Sequence, residues 1–357
     1  MTILLFILGL TLLIIGAEIL VRGASKIAAG LGISPLIIGL TVVAFGTSSP
    51  ELAVSIKSSI AGQADIALGN VLGSNIFNIL FILGLSSIIA PLFVSKQLIR
   101  FDLPIMILLS VGVLLISLDR LIGGFDGWIL IIGLTCYIGT LAYFSLRKKN
   151  QIDLTESGDE PEEVKWGLNI IYLFAGLAML IFGSRWFVNS AVTFAEKIGI
   201  SELIIGLTIV AAGTSMPEVV TSIIAALRGE RDIAVGNIVG SNIFNILAVL
   251  GISSVLAPAG LPVSEAAIGL EIPLLIAVSV ACLPIFFTGG TINRWEGALF
   301  LGYYIAYTLY LILNAAQHDL LPAFNYVMFY FVVPITVITI GVIFFQEFKK
   351  PTDQASP

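Results

Sequence analysis

The chain has 357 residues, of which 58% are hydrophobic and only 11% are charged. Soluble globular domains carry about 25% charged residues, so this composition argues against a soluble protein and places most of the chain in lipid. The formal net charge is -6, the acidic excess lies largely between Asp153 and Glu163, and no basic patch is present that would bind nucleic acid.

Apolar stretches separated by short polar or Gly/Pro-containing breaks follow one another along the chain. A membrane-spanning helix needs about 20 mainly apolar residues, and the sequence offers about eleven such stretches. The first stretch, residues 1–20, has no basic flank and is long for a signal peptide, so we expect it to be retained. The pattern predicts an all-α integral membrane protein.

Two segments of the chain recur without a gap. Residues 36–55, LIIGLTVVAFGTSSPELAVS, return at 203–222 as LIIGLTIVAAGTSMPEVVTS, and residues 67–80, ALGNVLGSNIFNIL, return at 234–247 as AVGNIVGSNIFNIL. The offset is constant, since 218 - 51 = 167. The chain therefore contains two copies of one unit. An odd number of spans in each copy would invert the second copy in the membrane, as in secondary transporters.

The repeat divides the chain into four predicted parts. They are a first inverted repeat of about five transmembrane helices (1–146, motifs at 36–80), an acidic linker (147–166), a second inverted repeat (167–317, motifs at 203–247) and an extra C-terminal transmembrane helix with its tail (318–357). The last helix has an alternative, a re-entrant or interfacial segment.

Lys and Arg residues orient the predicted spans, because positive charge collects in cytoplasmic loops. When the loops are placed alternately on two sides, 13 of the 17 basic residues fall on the side of the linker and 4 on the other. We therefore expect a multi-pass protein of the cell (inner) membrane with its N-terminus outside. The central linker and the C-terminus are expected in the cytoplasm.

Each copy carries one acidic residue inside an apolar stretch, Glu51 after GTSSP and Glu218 after GTSMP. An acidic side chain at the bilayer centre costs at least about 2.5 kcal/mol, so these positions point to function. Gly and Pro predict a broken helix whose restart is capped by Thr or Ser, and a break exposes carbonyls to an ion. The alternative is that each Glu completes a cap or pairs with Arg22 or Arg185 at a membrane edge.

The second motif places three polar residues four positions apart, on one face of a helix. The residues are Asn70, Ser74 and Asn78 in the first copy and Asn237, Ser241 and Asn245 in the second. We expect the serine and the last asparagine of each set to supply oxygen to a cation, although such residues also serve as packing contacts between helices. Asn75 and Asn242 lie off this face and are expected to be structural. Carboxylate, hydroxyl and amide oxygens suit calcium or sodium.

Other polar residues are predicted to have no chemical role. Asp65, Asp232, Asp102 and Glu271 are expected to cap helices. Cys136, Cys282 and the single histidine, His318, form no thiol or imidazole metal site, and no HExxH motif is present. We therefore expect neither an enzyme nor a resident cofactor.

At these motifs the sequence resembles the cation/calcium exchanger superfamily, and in particular the prokaryotic sodium/calcium exchangers, which are sodium:calcium antiporters. The residues that carry the resemblance are GTSSPE and GNVLGSNIFN in the first half and GTSMPE and GNIVGSNIFN in the second. The resemblance implies exchange of calcium for sodium by alternating access, in which the first and sixth helices slide against a fixed core.

The resemblance also implies a ligand set. Glu51 and Glu218 would be the central bidentate ligands, aided by the carbonyls of Thr47 and Thr214, with Asn78 completing the centre. The flanking sodium sites would be lined by the carbonyls of Ala44 and Ala211 and by four serines, Ser48, Ser74, Ser215 and Ser241. Asn245 stands where members of the family carry an aspartate, which leaves sodium or protons open as the driving ion.

The expected function is a secondary antiporter for calcium and sodium, with a calcium/proton antiporter as the alternative. A cation channel is a further alternative, but a channel would place its glutamates in a symmetric oligomeric pore. The expected partners are these cations and the lipid bilayer.

Overall fold

The structure is a computed structural model that describes residues 2–152, 165–287 and 289–348. The middle of the predicted linker, 153–164, and the predicted tail, 349–357, lie outside the described residues. The helices of the first half are α1 (Thr2–Leu31), α2 (Pro35–Thr47), α3 (Ser49–Ile60), α4 (Ala64–Ile89), α5 (Leu98–Ile116) and α6 (Gly124–Ile152). Those of the second half are α7 (Trp166–Lys197), α8 (202–213), α9 (Met216–Leu227), α10 (Arg231–Leu256), α11 (Ala267–Phe287) and α12 (Arg294–Ala315), followed by α13 (321–348).

Most of these helices are long enough to cross a membrane. Among the described residues, nine are individually long and apolar enough, and the pair α2 and α3, bent by 45°, makes a tenth span. Its counterpart in the second half is α8 followed by the shorter apolar helix α9. Each half thus has five span positions and α13 follows them, so the predicted all-α membrane architecture is confirmed.

The first helices of the two halves, α1 and α7, pack against each other along closely spaced glycines. A Cβ atom on Gly9 would lie 2.9 Å from the Gly183 carbonyl oxygen, and one on Gly16 would lie 3.0 Å from that of Gly176. Small residues allow two helix backbones to approach this closely in a membrane. Residues with higher numbers in α1 contact residues with lower numbers in α7, so the two helices are antiparallel. The second half is therefore inverted relative to the first.

Four two-residue strands join the halves at their loops. Leu92–Phe93 (β1) pairs with Thr291–Ile292 (β4), and Leu121–Ile122 (β2) pairs with Leu261–Pro262 (β3), both antiparallel. Each ladder contains one strand from each half. The strands therefore tie the loops of one half to those of the other.

The helices that carry the second motif, α4 and α10, lie at the centre of the molecule. Most of α4 and nearly all of α10 is enclosed by other helices, whereas the α13 span is not enclosed. Large apolar side chains are exposed along the outer helices, among them Ile3, Ile7, Phe329 and Ile338. Such a surface suits contact with lipid.

Helices α4 and α10 each contain a π-helical turn, Asn78–Leu83 in α4 and Asn245–Leu250 in α10. Matching π-turns occur in α2 at Gly39–Val43 and in α8 at Gly206–Val210. A π-turn widens the helix locally and is frequent at functional sites. In α4 and α10 it begins at the last asparagine of the polar face.

Candidate cation-binding site

Both predicted helix breaks are present. In the first half, α2 ends at Thr47, Ser48 stands between the helices, and α3 begins at Ser49 with a proline in its first turn. Glu51 follows in the same turn of α3. The second half repeats the arrangement, with Glu218 in the first turn of α9. Each carboxylate therefore lies in the positive field of a helix N-terminus.

The serines at the breaks do not cap the restarting helices. Ser48 and Ser215 occupy the N-cap positions but make no side-chain capping hydrogen bond. Instead Ser48 Oγ donates to Glu218 Oε1 (3.1 Å), and Ser215 Oγ donates to Glu51 Oε1 (2.7 Å). The capping prediction was wrong, since each serine side chain is directed across the site so that its hydroxyl donates to a carboxylate of the other half. The two halves thus exchange hydrogen bonds at the site.

The two glutamates are buried without a positive partner. Glu51 and Glu218 are each 0% exposed, and their negative charges repel each other. Within the described ranges, neither carboxylate has a basic group within 4.0 Å, and Arg22 pairs with Glu18 instead, with Nε and Oε1 2.6 Å apart. The alternative pairing of the glutamates with Arg22 or Arg185 is therefore wrong.

Asn70 and Asn237 hold the restarted helices in place. Asn70 Nδ2 donates to the Glu51 carbonyl oxygen (3.1 Å) and to Ser55 Oγ (2.9 Å). Asn237 Nδ2 makes the equivalent bonds to the Glu218 carbonyl oxygen (3.5 Å) and to Ser222 Oγ (3.0 Å). Both asparagines lie on the polar face predicted from the sequence, but their hydrogen bonds to the restarted helices were not predicted. Their recurrence at the same offset as the glutamates was the available signal.

The threonines of the breaks bind these same asparagines across the two halves. Thr47 Oγ1 donates to Asn237 Oδ1 (3.0 Å), and Thr214 Oγ1 donates to Asn70 Oδ1 (3.4 Å). The Ala44 carbonyl oxygen accepts the Ser48 N–H (3.0 Å) and lies 3.3 Å from Thr47 Oγ1. The carbonyl of Ala44, which the resemblance assigns to a flanking site, thus already accepts a hydrogen bond from the Ser48 backbone.

Buried oxygen atoms without a hydrogen-bond partner mark the centre of the site. Five of them belong to residues predicted to bind the cation, namely Glu51 Oε2, Glu218 Oε2, Asn78 Oδ1, Asn245 Oδ1 and Ser241 Oγ. Ser74 Oγ is buried as well and lies 3.2 Å from Ser215 Oγ. A buried polar group left unsatisfied costs about 1–3 kcal/mol, so a set of this size indicates a ligand. Carboxylate, amide and hydroxyl oxygens are ligands for hard cations.

A cavity of about 540 Å³ reaches the site from one side of the molecule. Its wall follows α4 from Asp65 in the first turn to Ser74, and it includes Thr214 of α8 and Glu271 of α11. Ala211, the counterpart of Ala44, is exposed on this wall, whereas Ala44 is fully buried. The cavity therefore approaches the site along α4 as far as Ser74 and Thr214.

The equivalent face of α10 is closed. A Cβ atom on Gly240 would lie 2.8 Å from the Leu40 carbonyl oxygen, and one on Gly236 would lie 2.9 Å from that of Leu36, because α2 packs directly on these glycines. Their counterparts on α4, Gly69 and Gly73, would meet nothing within 4 Å. The two halves are alike in sequence but differ in conformation, since the glycine face is open on α4 and covered on α10.

The four acidic residues expected as caps lie elsewhere. Asp65 and Asp232 are second residues of α4 and α10, inside the first turn instead of at the N-cap. Asp102 is buried and accepts a hydrogen bond from Tyr137 Oη (3.0 Å), while Glu271 lies on the cavity wall. Local sequence rules place a cap to within a few residues only, which is why the capping positions were misplaced.

The inverted halves and the oxygen-rich site between them define a membrane cation transporter. A family model described as sodium/calcium exchanger protein matches residues 1–146 and 168–313. The chain belongs to this family of exchangers and is a transporter, not an enzyme.

Individual relatives agree with this assignment. The chain is 40% identical over 307 residues to a putative antiporter, CaxA, of Alkalimonas amylolytica, covering 84% of this chain and 95% of CaxA. It is 33% identical over 343 residues to the sodium/calcium exchanger MaX1 of Methanosarcina acetivorans, covering 86% and 97% of the two chains. The solved sodium-calcium exchanger NCX_Mj superposes with a TM-score of 0.73 at 32% identity, covering 85% of this chain and 96% of that one. Cation exchange is therefore the general activity of the chain.

Proposed function

We propose that this cation exchanger carries calcium in exchange for sodium across the membrane. The observation that supports the proposal most directly is a set of five unpartnered buried oxygens, two of which belong to glutamates that have no basic partner in the described chain. The printed names of relatives agree with it, since MaX1 is a sodium/calcium exchanger and NCX_Mj was studied with sodium, calcium and strontium.

The charge of the site suits either one calcium ion or two sodium ions. Glu51 and Glu218 supply two negative charges when both are ionised, and Asn245 adds an oxygen atom without charge. Calcium binds six to eight oxygen ligands, and a site of buried carboxylates, amides and a hydroxyl offers such donors. Because the two kinds of ion would compete for the same carboxylates, binding of one would displace the other and couple their fluxes.

The open and closed sides of the site support alternating access. In the conformation described here, α2 covers the glycines of α10 while the cavity leaves those of α4 open. We propose that the opposite conformation closes α8 onto α4 and releases α2 from α10. The pair α1 and α7, which pack chiefly on each other through glycines, would slide against the remaining helices during this change.

The distribution of basic residues supports one orientation in a cell (inner) membrane. The side of the linker holds 13 of the 17 Lys and Arg residues, which favours the cytoplasm for the linker and the C-terminus. The N-terminus and the loop before α4 would then lie outside. In this orientation the cavity opens to the exterior.

The experiment that tests the function uses purified protein in liposomes. With sodium inside the vesicles and none outside, we expect calcium uptake that saturates and that collapses when the sodium gradient is removed. Uptake that follows an imposed pH gradient and ignores sodium would replace sodium by protons as the driving ion. Single-channel currents would overturn exchange itself.

A further inference from the structure

Two buried asparagines behind the site, Asn75 of α4 and Asn242 of α10, face each other between the two halves. Both are almost completely buried, with 0% and 1% exposure. Asn75 Nδ2 donates to the backbone carbonyl oxygen of Asn242 (3.4 Å). A backbone carbonyl only accepts hydrogen bonds, so this contact determines which end of the Asn75 amide is nitrogen. The Asn75 oxygen must therefore point the other way.

The orientation of the Asn75 amide determines the orientation of the Asn245 amide. Asn245 Nδ2 donates to Asn75 Oδ1 (3.1 Å). Because the group opposite it is an oxygen, Asn245 has to present its nitrogen there, and its own oxygen turns away. That oxygen, Asn245 Oδ1, is buried without a hydrogen-bond partner in the structure.

The second half acts on the first in the same way, through a longer contact. Asn78 Nδ2 donates to Asn242 Oδ1 (3.5 Å), and Asn78 Oδ1 is left buried and unpartnered. Asn242 Nδ2 points to the sulfur of Met106 (3.6 Å), so its amide also has a defined direction. Each of the two buried asparagines thus orients an asparagine that belongs to the opposite half.

We propose that Asn75 and Asn242 are positioning residues that make Asn245 and Asn78 present oxygen, not nitrogen, to the cation. An asparagine amide turned by a half rotation would present an NH₂ group, which carries partial positive charge and cannot bind a metal ion. Ligands whose orientation is set before binding hold an ion more tightly than ligands that must first rotate. This inference rests on the proposed cation site and extends it to a second layer of residues.

A double-mutant cycle tests the inference on purified full-length protein. Calcium binding is measured at equilibrium without sodium, so that the result does not depend on the driving ion. We expect Asn75→Leu to weaken calcium binding about 10-fold, the scale of effect seen for residues that orient metal ligands. In the Asn245→Ala background, where the oriented oxygen is already absent, Asn75→Leu should have little further effect. In the Asn78→Ala background its effect should be retained in full.

Controls separate positioning from a general structural role. Ser110→Ala removes another buried contact between the halves, since Ser110 Oγ and Ser279 Oγ lie 3.3 Å apart, and it should leave calcium affinity unchanged. Melting temperature without calcium reports stability for every variant. If Asn75→Leu does not fold, Asn242→Leu carries the same test with the partners exchanged, coupling to Asn78→Ala and not to Asn245→Ala.

Additive effects of Asn75→Leu and Asn245→Ala on calcium affinity would overturn the inference. That outcome would leave the proposed function intact, provided that the wild type performs sodium-driven calcium uptake. Conversely, calcium binding with the expected coupling but without sodium-driven uptake would refute the proposed function alone. A wild-type protein that binds no calcium would overturn both.

Discussion

Glu18 of α1 and Arg228, which follows α9, form a two-point ion pair, with Nε to Oε2 at 2.8 Å and a terminal guanidinium nitrogen to Oε1 at 2.7 Å. The contact joins the first helix of one half to the second half. It has no counterpart across the repeat, because the residues at the corresponding positions are Arg185 and Ala61. If the two halves exchange conformations as proposed, an ion pair present in only one half favours one of the two states.

We therefore expect Glu18→Gln to shift the protein away from the conformation in which the cavity along α4 is open. The pair is partly exposed, which limits its contribution to about 0.5–1 kcal/mol, or roughly a two- to fivefold change in the equilibrium. The measurement is the rate of thiol labelling of Ile66→Cys, a position on the cavity wall, in a background without Cys136 and Cys282. Labelling should slow in the variant.

Arg228→Gln, which removes the same contact but keeps the pair between Glu18 and Arg22, is the matched control and should slow labelling by a similar amount. High salt should reduce the difference between wild type and Glu18→Gln, since screening weakens exposed ion pairs. Equal labelling of wild type and Glu18→Gln at low salt would show that the ion pair does not bias the equilibrium.

Replacement of either site glutamate is expected to cause the most severe loss of function. Glu51→Gln or Glu218→Gln keeps the shape of the side chain but removes half of the site's negative charge, so we expect calcium uptake to fall by about 100-fold while membrane insertion is retained. Uptake into liposomes at a fixed protein density measures this. Glu296→Gln is the control, because Glu296 is a buried glutamate that caps α12, a role that glutamine also performs. If either variant kept most of its uptake activity, the glutamate replaced in it would not be a principal ligand.

Asn245→Asp restores the carboxylate that the family resemblance implies at this position. The variant adds a third acidic group to the site, so it should bind an additional monovalent cation or proton and change the sodium dependence of exchange. The ratio of sodium to calcium moved per cycle, measured by paired tracer fluxes, checks the expectation. An unaltered ratio and an unaltered sodium dependence would show that Asn245 is a neutral substitution.

The glycines of α4 and α10 should respond to the same substitution in opposite ways. Gly73→Ala finds free space in the present conformation, so calcium binding should be normal, but the new methyl group would obstruct closure of α8 onto α4. Overpacking costs about 1–3 kcal/mol, which is enough to slow exchange at least fivefold. Gly240→Ala would instead collide with the Leu40 backbone and destabilise the conformation described here.

Thiol labelling of Ile66→Cys distinguishes the two glycine variants. Labelling should stay fast in Gly73→Ala and become slower in Gly240→Ala. If both variants changed labelling in the same direction, the two glycine faces would not close alternately.

Local chemistry made part of this structure predictable. Gly46 and Pro50 flank the first break, and their backbone preferences act within a few residues, so the interruption between α2 and α3 could be expected from the sequence. The inverted architecture followed from the repeat, because a copy with five spans must return in the opposite orientation.

Contacts between the halves could not be predicted in the same way. Ser48 and Glu218 are 170 positions apart, and no local rule indicates that this serine gives up its cap to bind a distant carboxylate. Asp102 is a similar case. Its partner Tyr137 belongs to the next helix, α6, and the local sequence does not specify how α5 and α6 are rotated relative to each other. The orientation of the four central asparagines likewise depends on packing across the axis between the halves.

The burial of Glu51 and Glu218 has a consequence for leakage. Desolvating two bare carboxylates side by side is costly, whereas a site filled with one divalent or two monovalent cations is neutral. An unloaded transporter would have to carry both uncompensated charges through an occluded intermediate, so it should remain on the side where it released its ions. The transporter would then change conformation only with ions bound, and the gradient of one ion would not dissipate through uncoupled transport.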